Sequence, residues 1–307
     1  MHYNIVMFGV KDTSKEVIKY VQETLQEQID LLVTVSTSVA KSVDIAGYAD
    51  IHETAKQYGI HVFSADSYSL TDDQCNEFFS NNTFGIGISM GWQRLIPVSV
   101  LDKFDTGIYG FHGSCGYLPF GRGRSPLNWS LLLGDKRYIL NLFKYDKNAD
   151  SPNVFMNTMF EINEHDTIRT LQFKNIHCAK SLIKSLLNAY KANAITIKTT
   201  SSDFDFWYKK RTPKDGKIDF SKRTREIYNL IRSVTRPFAG AYCFADNEKI
   251  IIWDAVPFDG MIDFSAFSVG KIIDIFDENP VIRTIDGSLL IRDYSYGKKL
   301  TIQQRLE

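Results

Sequence analysis

Five short apolar runs punctuate the first third of the chain: NIVMFGV (4–10), IDLLVTVST (29–37), HVFSA (61–65), TFGIGISM (83–90) and GIYGFHG (107–113). Runs of this length, apolar on both faces, suit strands buried in a parallel sheet. Helix-like stretches lie between them. In residues 14–27, Val17, Ile18, Val21 and Leu25 fall on one helical stripe, and 50–60 reads as a helix stopped by Gly59. Strands alternating with helices imply right-handed βαβ units and a Rossmann-like, doubly wound α/β sheet. Ligands of such sheets bind at the carboxyl ends of the strands, and His112 stands at one of those ends. The first crossover reads FGVKDTSKE and holds no GxGxxG, so a dinucleotide site of the usual kind is not expected.

Residues 137–147 and 154–162 read as a strand pair, and 166–194 as a long helix. Residues 197–207 are polar and read as a linker. Past them the pattern changes. A helix is expected over 220–235, ended by Arg236-Pro237. Short strands follow, separated by turn pairs such as Asp246-Asn247, Asp259-Gly260 and Asp286-Gly287. Strands at this spacing suggest a small OB-like barrel or an open sheet. The expected organisation is an α/β domain over 1–198 and a mostly-β domain over 199–307.

Bulk composition mostly excludes. Lys+Arg and Asp+Glu both number 36 in 307 residues, so no global field draws the protein to nucleic acid or membrane. The four cysteines, Cys75, Cys115, Cys178 and Cys243, lie far apart and form no CxxC pair, so neither zinc nor a disulfide framework is expected. Isolated thiols fit a reducing cytosol. The start, MHYNIVMFGV, lacks the pattern of a signal peptide, and no run approaches a membrane span. A cytoplasmic protein without a bound metal is expected.

The stretch GFHGSCGYLPFGRGRSPLNW (110–129) resembles the folate-dependent formyltransferases, in which a histidine follows a strand and a Leu-Pro-x-x-Arg-Gly loop comes next. Upstream, ISMGWQRLIP (88–97) is similar to their folate-side strand end. Downstream, LFKYDKNADSPNVF (142–155) is similar to the loop that bears their catalytic aspartate. Residues 207–255, with RTPKDG and RPFAGA, resemble the C-terminal domain of methionyl-tRNA formyltransferases and of sugar N-formyltransferases. The wording around HGS and GRGRSPLNW looks closer to the sugar enzymes.

The resemblance implies transfer of a formyl group from 10-formyltetrahydrofolate to an amine. His112 and Asp150 match the catalytic pair: the imidazole would stabilise the tetrahedral oxyanion and relay protons, and the carboxylate would fix its tautomer. The family places an oxyanion-donating asparagine two residues before the histidine; here that position is Gly110. A backbone N–H of the longer loop after His112, Ser114 or Asn128 could stand in for it. The glycine that usually follows the aspartate is also absent, since Ser151-Pro152 follows Asp150.

The donor is expected against Trp92, Arg94, Leu95 and Ile96 and against Asn148 and Ala149. A plain packing role for Trp92 is an equal alternative. Arg122, Gly123 and Arg124 could clamp a diphosphate or could pin their own loop. From 209 to 236, ten Lys and Arg stand against three acids beside Phe206, Trp207 and Tyr208. Trp207, Tyr208 and Arg211 could stack a base and meet phosphates, or this could be a solvated helix face.

The expected acceptor is the amine of a nucleotide-linked (dTDP, UDP or GDP) dideoxy amino sugar, for surface-polysaccharide and O-antigen assembly. The alternatives are a methionyl-tRNA formyltransferase and a non-catalytic folate- or nucleotide-binding relative. A homodimer through the C-terminal sheet is expected, since its edges need cover.

Overall fold

A computed structural model describes residues 1–307 apart from 44, 46 and 202–205. Each of the five apolar runs contributes a strand: β1 (His2–Phe8), β2 (Leu31–Val35), β3 (His61–Ala65), β4 (Thr83–Ser89) and β5 (Phe104–Ser114). They pair in parallel in the order β3-β2-β1-β4-β5. Helices α1 (Asp12–Lys19), α2 (Thr37–Val43), α3 (His52–Gln57), α4 (Asp73–Ser80) and α5 (Val98–Leu101) form the crossovers. The stripe expected on α1 is real: Val17 and Ile18, and Val21 in the π turn that continues the helix, are fully buried. Val6, Phe8, Leu31 and Val33 are as deeply buried, which is why these runs alternate so little. Gly59 sits just beyond α3 at φ 65°, the stop its sequence implied.

A two-residue strand, β6 (Arg122–Gly123), and helix α6 (Pro126–Leu133) come next. The expected strand pair is β7 (Arg137–Lys144) and β8 (Asn153–Glu161), which extends the large sheet beyond β5. β7 runs antiparallel to β5, with His112 opposite Asn141 and Gly110 opposite Phe143. Helix α7 (Ile168–Lys191) follows. Part of the stretch read as a linker is strand β9 (Lys198–Thr199), antiparallel to β8, and residues 202–205 of that stretch lie outside the described residues. Strand β10 (Trp207–Tyr208) pairs with β6.

Helix α8 (Thr224–Val234) precedes a five-stranded antiparallel sheet: β11 (Ala241–Ala245), β12 (Glu248–Pro257), β13 (Ile272–Phe276), β14 (Asn279–Thr284) and β15 (Gly287–Ser295), in the order β11-β12-β15-β14-β13. The turn residues Asp246 and Asn247 both take positive φ, 50° and 64°, as a two-residue hairpin loop requires. Ile227 and Ile231 of α8 pack on Ile250, Ile252, Leu289 and Ile291. Full burial of each such side chain contributes about 1.5–3 kcal/mol. The tail bonds to both edges of this sheet: Glu307 exchanges backbone bonds with Phe244 next to β12, and Gln304 accepts from Ile272 on β13. The sheet is open in strand order, and the tail bridges its edges in the manner of a barrel.

By internal contacts the chain divides into two units. One comprises Met1–Arg122, Ile139–Phe160 and Asn175–Trp207; the other comprises Gly123–Tyr138, Glu161–Lys174 and Tyr208–Glu307.

Candidate active site

Strand β5 outruns its parallel partner. β4 ends at Ser89, which pairs with Gly110, so residues 111–114 continue past it along β7 alone. That overhang carries His112, which is only 7% exposed. Its Nε2 lies 2.7 Å from the carbonyl oxygen of Gly121 and therefore donates to it. Its Nδ1 lies 3.3 Å from Asp150 Oδ1. A carbonyl and a carboxylate only accept, so each ring nitrogen of His112 faces an acceptor.

The loop carrying Asp150 is organised by Asp146. The Asp146 carboxylate accepts from the backbone N–H of Asn148 at 2.7 Å, from Ser151 Oγ at 2.5 Å and from Asn153 Nδ2 at 3.1 Å. Asp150 itself takes φ 48°. The left-handed residue is thus the aspartate, one of the few side chains that tolerate this region, and Ser151 after it needs no glycine.

Two substitutes considered for the missing asparagine are engaged elsewhere. Ser114 Oγ is bonded within its own loop, 2.9 Å from Gly116 O and 3.0 Å from Phe120 O. Asn128 Nδ2 donates to Ser233 O at 2.7 Å inside the second unit, where Asn128 is buried. Both side chains hold local structure. The reason Gly110 is glycine is steric. A β-carbon there would fall inside the phenol of Tyr145, against Oη, Cε1 and Cζ. Tyr145 Oη donates to Ser89 Oγ at 3.2 Å, and desolvation pushes its pKa up to about 12, with the charge of Asp150 adding to the rise. The sequence reading missed Tyr145. Its signal was the register, since a residue just past β7 overhangs a glycine on β5.

A cleft of about 630 Å³ runs along the first half of β5, a volume in the about 300–1,000 Å³ range of small-molecule sites. Val98, Leu101, Phe104 and Ile108 form its apolar wall, and Lys144, Tyr145 and Asn148 rim it. Of the six residues expected to bind the donor, Asn148 lines this cleft. Trp92 does not: it is buried in the core against Phe8 and Tyr68, so its side chain is the packing anchor of the alternative reading. Ile96 is also buried, Arg94 lies over the Tyr68 ring, Leu95 is 60% exposed and Ala149 is half-buried in the Asp150 loop.

In the first unit Arg122 stacks on the Trp207 ring at 4.4 Å. In the second unit Gly123 takes φ 104° with its α-carbon against the backbone of Tyr208, Arg124 is exposed, and Tyr208 stacks on Trp129. Arg211 donates to Asp215 O at 2.7 Å and lies over Trp129, so it secures its own turn. The basic stretch is partly internal. Arg232 is buried, with Nη1 donating to Asn163 O and Asp166 O, and Arg236 pairs with Asp293 at 2.5 Å. No group of three or more metal-ligating side chains occurs among the described residues. No helix there is long and apolar enough to cross a membrane.

These features define a two-unit α/β protein with a histidine on a strand overhang, a carboxylate facing it from a loop, and a cleft of small-molecule size beside them. Two family models match the chain: formyl transferase over residues 3–187, and formyl transferase, C-terminal domain, over residues 210–306. The chain belongs to the formyl transferase family. The bifunctional polymyxin resistance protein ArnA of Wigglesworthia glossinidia brevipalpis is 32% identical over 195 residues, 63% of this chain and 28% of ArnA. HypX from Aquifex aeolicus, solved in complex with tetrahydrofolic acid, matches with a TM-score of 0.65 at 15% identity over 97% of this chain and 45% of HypX. An N-formyltransferase from Helicobacter canadensis, solved in complex with folinic acid and dTDP-3-aminofucose, matches with a TM-score of 0.66 at 17% identity over 94% of this chain and 98% of its own. The chain thus spans less than half the length of ArnA or HypX, and at these structural identities the likeness is one of fold.

Proposed function

We propose that this protein transfers the formyl group of 10-formyltetrahydrofolate to the amine of a nucleotide-linked amino sugar. The observation that carries the reading is the His112–Asp150 pair: His112 is buried on the β5 overhang, and Asp150 reaches it from the loop after β7, next to the cleft. The donor is a substrate consumed in the reaction. The apolar wall of the cleft, the Tyr145–Ala149 loop and exposed Leu95 fit a flat ligand with polar edges, and the donor supplies an activated formyl carbon. His112 takes the amine proton and gives a proton to the departing nitrogen, with substrate replacing the Gly121 carbonyl at Nε2. Asp150 holds the ring through Nδ1 and stabilises its charged form.

A nucleotide sugar is preferred over tRNA on charge. A tRNA needs a broad basic surface, because phosphate contacts dominate affinity. The net charge here is zero, and Arg211, Arg232 and Arg236 of the basic stretch are engaged within the second unit. Arg122 on Trp207 offers a planar cation for a base or diphosphate. The likeness to a structure holding a dTDP-amino sugar supports the same acceptor class. A catalytic region over 1–198 with a C-terminal domain over 199–307, cytoplasmic, acting in surface-polysaccharide assembly and possessing a homodimeric form, completes the proposal.

The test is an acceptor panel. 10-Formyltetrahydrofolate is offered with dTDP-, UDP- and GDP-linked amino sugars and with initiator methionyl-tRNA, and release of tetrahydrofolate is followed. Turnover on a nucleotide sugar alone is expected. Turnover on the tRNA alone would move the assignment to the tRNA enzyme. Donor binding without turnover on any acceptor would mark a non-catalytic relative.

A further inference from the structure

Attack of an amine on a formyl carbon forms a C–N bond and moves the carbonyl π electrons onto oxygen. Collapse of this tetrahedral species breaks the bond to the donor nitrogen, which leaves with the electron pair and accepts a proton, while the attacking amine gives one up. The charge that builds on oxygen needs an aimed hydrogen-bond donor. Around His112 most side-chain donors are committed. Ser114 Oγ bonds its own loop, and Asn141 Nδ2 donates to His112 O at 3.2 Å. His112 itself supplies one N–H, now on the Gly121 carbonyl.

Tyr145 differs. Its ring is fixed by Phe143 and by the core, its backbone N–H donates to Ile108 O at 2.8 Å, and its hydroxyl rests on Gly110, two residues from His112. The same side chain lines the cleft along β5. Its bond to Ser89 Oγ is long, at 3.2 Å, and joins two hydroxyls, so the Tyr145 proton is readily redirected.

We infer that the Tyr145 hydroxyl donates a hydrogen bond to the formyl oxyanion, taking over the volume and the task that a side chain at position 110 would otherwise have. The inference rests on the formyl-transfer reading. Glycine at 110 and tyrosine at 145 form one device, because only an absent β-carbon leaves room for the phenol.

The experiment compares steady-state kinetics of wild type, His112→Ala and Tyr145→Phe on the best acceptor of the panel. Phenylalanine keeps the ring and its packing and removes only the hydroxyl. The expected result is a loss of about 10²- to 10³-fold in kcat for Tyr145→Phe. The KM for the donor should stay within threefold and the melting temperature should be near that of wild type. A kcat within threefold of wild type, or a loss confined to KM, overturns the donor role while leaving the formyl-transfer reading intact. A wild type silent on every acceptor overturns the reading and the donor role together.

Discussion

Asp150 Oδ1 lies 3.3 Å from Nδ1 of His112, and it gets there because Asp150 adopts a left-handed backbone, φ 48°, inside a loop tied by Asp146. Orientation of the imidazole therefore depends on two carboxylates with separate duties: one faces the ring and the other builds the loop.

Asp150→Asn should leave the fold unchanged and lower turnover by about 10²- to 10⁴-fold, the usual scale of a positioned acid–base group. Circular dichroism and kcat measured on the same preparation check this. Near-normal turnover would remove Asp150 from the mechanism.

Asp146→Ala should act one step further back. It removes the acceptor for Asn148 N–H, Ser151 Oγ and Asn153 Nδ2. Donor affinity and kcat should both fall, and limited proteolysis should cut the 146–153 loop faster than in wild type. A loop as resistant as the wild type would contradict this role.

Gly110→Ala should destabilise, since its methyl group would enter the Tyr145 ring. Overpacking of this kind costs about 1–3 kcal/mol, read as a lower denaturant midpoint with an unchanged slope. Gly110→Asn should be worse still and should not raise the rate; a gain in rate would show that a donor is missing there.

Asn128→Ala should cost stability without touching chemistry. It strips the buried Ser233 carbonyl of its partner, a loss of about 1–3 kcal/mol. Urea unfolding should report the loss while kcat stays within twofold.

The Tyr145 phenol has an ordinary pKa of 10.0 and is held near 12 in the folded protein. Because the folded value is the higher one, its contribution to stability is complete below pH 10 and is lost as pH rises from 10 towards 12. Tyr109 is raised to about 12 as well. Titration of the phenolate absorbance should show one fewer late-titrating tyrosine in Tyr145→Phe than in wild type.

The parallel half of the large sheet was legible because β1, β2 and β4 are buried on both faces and so read as unbroken apolar runs. The hairpins of the C-terminal sheet were legible through turn residues such as Asp246-Asn247. The strand-end place of His112 and the loop place of Asp150 after LFKY were legible, and the structure sets the two side chains 3.3 Å apart. What sequence hid was long-range. Trp92, Ser114 and Asn128 carry polar groups suited to ligands, and their partners at Tyr68, Phe120 and Ser233 are not visible in the sequence. Strand β9 was hidden because two polar residues pair with β8 without any apolar signal. Tyr145 was hidden because its role follows from overhanging Gly110, a contact across two strands that no local pattern encodes.

The most direct measurement is transfer of an isotopically labelled formyl group. Wild type and His112→Ala are incubated with 10-formyltetrahydrofolate labelled in the formyl carbon and a nucleotide-linked amino sugar, and the product is analysed by mass spectrometry. The account predicts label in an amide on the sugar with wild type and none above background with a folded His112→Ala. Label transferred equally by both proteins would contradict the assignment of His112 as the residue at the centre of the reaction.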